Sequence, residues 1–95
     1  MISSSIRKKL TQKHGVNEAE ITQCFTSRER AFLEDTRENH KTDPPTKWFI
    51  AETDFGRCLK VVFMQSADGQ DIQIKTAYLA NIEERRIYEK YAPKI

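Results

Sequence analysis

Ninety-five residues with 38% hydrophobic and 32% charged content, three Gly and three Pro predict one folded domain, residues 1–95, rather than a disordered segment. No apolar run approaches the roughly 20 residues needed to cross a bilayer. No apolar stretch follows the early cations Arg7, Lys8 and Lys9 as a secretory signal requires, so the cytoplasm is the expected compartment. Net charge is +2, from 16 Lys and Arg against 14 Asp and Glu, so any nucleic-acid affinity must come from cations that share a face.

Ser3-Ser4-Ser5 offers N-cap hydroxyls ahead of a helix over 6–14, and Gly15 stands where a left-handed residue closes a helix. Ile6 and Leu10 form its narrow apolar stripe. Asn17 followed by Glu20 is a capping-box pattern for a second short helix with Ile21, Cys24 and Phe25 buried. A short strand is expected over 30–33, then a polar loop ending in Asp43-Pro44-Pro45, where consecutive prolines forbid helix. Three strand-like runs follow over 47–52, 58–65 and 71–77, the last with Ile72 and Ile74 on one face. Asp54-Phe55-Gly56 and Ala67-Asp68-Gly69 supply turns for an antiparallel meander. Asn81 with Glu84 caps a final helix, expected to turn Ile82, Ile87 and Tyr91 inward and to end at Pro93. The expected fold is α+β in the order α-α-β-β-β-β-α. It has two short N-terminal helices, a three- to four-stranded antiparallel sheet with the helices on one face, and a C-terminal helix.

Metal chemistry fits poorly: His14 and His40 are far apart, and there is no HxxxH or CxxC spacing. No cofactor is expected, because no Gly-rich phosphate loop is present, and no GxSxG elbow supports a serine nucleophile. Cys24 and Cys58 read as small hydrophobes; a disulfide requires their elements to be adjacent, and a redox sensor is the least favoured function. Metal-free RNA cleavage by the 2′-hydroxyl needs a base, an acid and cations for the phosphorane. Lys13, His14, Arg57, Tyr78, Arg85, Arg86 and Tyr88 stand at element ends and offer those groups. Each also has an ordinary explanation. Lys13 and His14 suit a helix C-terminus. Arg57 suits a turn, Arg85 and Arg86 suit intrahelical pairs with neighbouring glutamates, and the tyrosines suit the edge of a core. Trp48 and Phe49 suit a core or an interface, and His40 a solvated loop.

The order and spacing of these short motifs carry a resemblance over roughly residues 13–88. Lys13-His14-Gly15 precedes an acidic-capped helix, Gly56-Arg57 with Leu59 opens a strand, 72–77 forms the next, and Glu84-Arg85 with Tyr88 marks the last helix. In this layout the chain resembles BrnT-type toxins, compact RelE-like ribonucleases of bacterial toxin–antitoxin pairs. The resemblance implies RNA as substrate and a cognate antitoxin whose acidic segment covers the cations. It implies Lys13 and His14 as the acid–base pair, Arg57, Arg85 and Arg86 on phosphate, and Tyr78 or Tyr88 orienting the substrate. Two departures stand out: Tyr78 follows Ala77 where such toxins usually carry Arg, and no strand is expected before the first helix. The alternative from another class is a non-enzymatic interaction module with a degenerate toxin fold, binding a partner protein or a second copy of itself through a sheet edge and the Trp48/Phe49 strand.

Overall fold

The computed structural model describes residues 2–35 and 45–95; His40, Asp43 and Pro44 of the expected loop lie outside them. Helix α1 (Ser4–Lys9) is capped by Ser3, whose hydroxyl accepts the N–H of Ile6. It runs on into a π-helical turn over Leu10–His14. There the N–H of Val16 reaches back to the Leu10 carbonyl at 3.1 Å. Gly15 takes φ 62°, a conformation that costs a residue with a Cβ. Helix α2 (Glu18–Ser27) begins at the expected capping box of Asn17 and Glu20.

Four strands, β1 (Leu33–Glu34), β2 (Thr46–Glu52), β3 (Cys58–Gln65) and β4 (Ile72–Leu79), form one antiparallel sheet in sequential order. Both expected turns are present. Gly56 N–H donates to the Thr53 carbonyl and Gly69 N–H to that of Ser66. The early strand sits later than expected, because Arg30 instead bridges Lys94 of the C-terminal tail while Leu33 pairs with Trp48. Helix α3 (Ile82–Tyr91) starts at the capping box of Asn81 and Glu84.

The register assigns the two faces of the sheet. Phe49, Val61 and Ala77 align on one, with Phe63 and Ile74 beside them. All are buried. On this face Phe25 of α2 packs against Phe49 and Phe63, with ring centroids 4.7 and 5.6 Å apart. Phe32 closes the cluster edge-on to Phe63 at 4.8 Å, the arrangement aromatic quadrupoles favour. The opposite face carries Trp48, Ile50, Lys60, Val62, Thr76 and Tyr78.

Helix α3 packs on that second face, with Tyr88 against Trp48 at 5.7 Å. The expectation of helices on one side is therefore corrected: α1 and α2 cover one face and α3 the other. The expected inner face of α3 is corrected as well. Ile82, Ile87 and Tyr91 are exposed, whereas Tyr88 and Ala92 are buried. The stripe that meets the sheet is Glu84, Tyr88 and Ala92, four residues apart, and its first member is polar.

One irregularity decides what faces α3. Between Val62 and Phe63 the pairing with β4 shifts, because Phe63 meets Ile74 while Val62 meets Thr76. Lys75 is the extra residue of this bulge. Ile72 and Ile74 keep their expected face, but beyond the bulge the alternation is inverted. Ala77 joins the core and Tyr78 turns to the α3 side.

Candidate functional site

The last turn of the first helix delivers His14 to the edge of the sheet beside β4. Its half-buried imidazole lies against the Tyr78 ring, with centroids 5.8 Å apart and planes tilted by 42°. Lys13, one residue earlier, is exposed. Tyr78 donates its hydroxyl to Glu84 Oε2 at 2.7 Å, and Lys60 Nζ lies 2.9 Å from the same oxygen. Both members of that ion pair are largely buried, with side chains 14% and 17% exposed. The other carboxylate oxygen accepts the N–H of Asn81 at 3.1 Å. The Lys60 ammonium also sits 4.5 Å over the Trp48 ring, a favourable cation–π distance.

The electrostatics follow from these contacts. Burial pushes the Glu84 carboxyl up, but hydrogen bonds from Lys60, the Asn81 N–H and Tyr78 outweigh it and hold the group below its ordinary range. Burial, then the hydrogen bond to Glu84, pushes the Tyr78 phenol up. The two shifts agree: the proton stays on the phenol and the charge on the carboxylate.

Arg57 approaches the same corner for another reason. Its Nη1 contacts both Glu20 carboxylate oxygens at 2.9 and 2.7 Å and donates to the Gly15 carbonyl at 3.0 Å. Its Nη1 therefore clamps the turn after His14 to the start of α2, while the side chain stays 34% exposed.

The remaining expected site residues do not join this group. Arg85 lines a separate groove of about 430 Å³ between α3 and the β2–β3 turn, together with Cys58, Glu52 and Glu89. Burial raises the Cys58 thiol and the Arg85 guanidinium opposes that rise. Arg86 is exposed. Tyr88 is buried, and its hydroxyl oxygen lies 3.0 Å from the carbonyl oxygens of both Arg30 and Ala31. That phenol secures α3 to the segment before β1. Phe49 is fully buried and Trp48 lies under Tyr88, which leaves the Trp48/Phe49 strand little surface for a partner.

The sequence analysis leaves Lys60 unnamed and gives Glu84 no role at the site. Lys60 carried a signal, as a lone cation inside the apolar run Cys58-Leu59-Lys60-Val61-Val62-Phe63. Glu84 stands in the sequence as a cap and as part of the Glu84-Arg85 motif, and the cap explains one of its two oxygens. Both cysteines are free, Cys24 buried and Cys58 half-buried. Among the described residues no group of three or more His, Cys, Asp and Glu side chains gathers for a metal ion. Among them also, no helix is long and apolar enough to cross a membrane. No family model matches this chain, and no curated protein matches it.

Proposed function

We propose that this protein binds RNA and cleaves it as a metal-independent endoribonuclease, a toxin or toxin relative of the BrnT/RelE-like kind. The observation that carries this reading is the half-exposed His14 imidazole, seated on Tyr78 beside the exposed Lys13 at the end of a basic helix. Imidazole is the side chain suited to exchanging protons near neutral pH. In the proposed reaction His14 takes the proton of a ribose 2′-hydroxyl. The 2′-oxygen bonds to the adjacent phosphorus as the bond from phosphorus to the 5′-oxygen breaks, and that oxygen leaves with a proton given by the Lys13 ammonium, giving a 2′,3′-cyclic phosphate and a 5′-hydroxyl. Lys13 offsets the phosphorane charge, while Arg85 and Arg86 hold phosphates further along the strand. Tyr78 offers its ring rather than its hydroxyl, which is engaged with Glu84. Arg57 keeps the Lys13-His14-Gly15 turn in place. The cations Lys8, Lys9 and Lys13 are all exposed, and an acidic antitoxin segment would cover them.

The test is digestion of end-labelled RNA by the purified protein in EDTA, alongside growth of a bacterial host under induction. Cyclic-phosphate products are expected, with His14→Ala slower by about 100-fold or more, the usual worth of a general acid–base group. Cleavage that persists unchanged in His14→Ala would sink the assignment.

One observation favours a second reading, a non-enzymatic module that self-associates. Leu79, Ile82 and Tyr91, at and beside α3, are each 60% exposed or more. On that reading Ile82→Glu converts a dimer to a monomer in sedimentation equilibrium, and the wild type leaves RNA intact.

A further inference from the structure

Glu84 does more than its position in α3 requires. A capping glutamate needs only the oxygen that accepts the Asn81 N–H. Its other oxygen gathers two donors from the sheet, Lys60 and Tyr78, at 2.9 and 2.7 Å. This carboxylate and ammonium are both largely buried. A well-packed apolar pair at such a place is often as stable as an ion pair or more so, because two charges lose their water. Stability alone therefore does not account for the pair. What it supplies is direction. The ammonium is steadied over Trp48, the carboxylate is steadied by the ammonium and the helix start, and the phenol is steadied by the carboxylate. The far end of this series is the ring against which His14 rests.

We propose that Glu84, held by Lys60, is a positioning residue of the candidate site: through the Tyr78 hydroxyl it sets the ring that orients the His14 imidazole. The effect on cleavage rests on the ribonuclease reading; the effect on His14 does not. Tyr78→Phe keeps the ring and removes its anchor. Glu84→Ala removes the anchor and half of the capping box. Asn81→Ala is the control, since it loses the cap side chain but leaves the Asn81 N–H, Glu84, Lys60 and Tyr78 in place.

The first measurement is the NMR spectrum of the His14 ring, assigned with His14→Gln, at a temperature where circular dichroism shows every variant folded. Tyr78→Phe and Glu84→Ala are each expected to move the His14 ring resonances, with Asn81→Ala close to wild type. The second is single-substrate RNA cleavage. Both anchor variants are expected to lose about tenfold or more in kcat with KM nearly unchanged, because misorientation of a reacting group slows chemistry without removing phosphate contacts. His14 resonances that stay in place in both folded anchor variants overturn the proposal, as does a kcat equal to wild type. If the wild type cleaves no RNA, the ribonuclease reading fails, and the NMR result alone decides whether Glu84 positions His14.

Discussion

At the scale of single residues, two perturbed ionisable groups respond to pH in opposite directions. The Glu84 carboxyl is held below its ordinary 4.5 in the folded chain. A depressed carboxyl stabilises the fold above its unfolded value, and that contribution is lost as pH falls through the folded one. Urea midpoints are therefore expected to drop below pH about 4.5, and to drop less in Glu84→Gln, which has nothing to protonate there. An equal loss in both proteins would remove Glu84 from the acid response. Cys24 shows the reverse case. Burial first, then the charges of Glu20 and Cys58, push its thiol up to about 11 from 9.0. Its contribution to stability is complete below 9.0 and lost as pH rises toward 11. Iodoacetamide at pH 8 is expected to modify Cys58 first, and Cys24 only at the rate of unfolding, as peptide mapping over a urea series would show. Equal labelling rates in the native protein would contradict the burial of Cys24.

At the scale of elements, the helix ends were legible because they are local. Ser3, the Asn17–Glu20 box, the Asn81–Glu84 box and Gly15 act within five residues, so spacing in the chain is spacing in the fold. A Cβ added at Gly15 meets nothing within 4 Å, so replacing it costs only the left-handed backbone. Gly15→Ala is expected to lose about 1 kcal/mol, and Asn17→Ala about the same through its lost cap. Chemical denaturation would check both, and a neutral Gly15→Ala would mean that the π-helical turn relaxes to another closure. That turn and the Lys75 bulge were not legible. Each adds one residue to a regular repeat, and regular repeats are what periodicity detects. The inner face of α3 was misread for a related reason: apolar residues were assigned inward, whereas the meeting surface offers Lys60 and the Tyr78 hydroxyl, which select Glu84.

At the scale of the whole molecule, a net charge of +2 distributes unevenly. Arg57 and Lys60 are spent on glutamates inside the fold, while Lys8, Lys9 and Lys13 remain exposed along one helix. If RNA lies there, its affinity falls with salt, and Lys13→Gln flattens the plot of log affinity against log salt by about 0.7 for a single strand. A slope that Lys13→Gln leaves unchanged would place the RNA elsewhere.

The sequence by itself determined the α+β class, the element order, both β-turns and four of the helix ends, since each follows from propensity, alternation or capping over a few residues. Only the tertiary structure decided that α3 faces α1 and α2 across the sheet, that Tyr78 turns toward α3, that Arg57 pairs with Glu20 and that Tyr88 is buried. Those outcomes depend on strand register and on which buried partner each polar atom meets. A bulge of one residue reverses a strand face, and a buried charge goes where its counter-charge stands. Neither is written in the spacing of the chain.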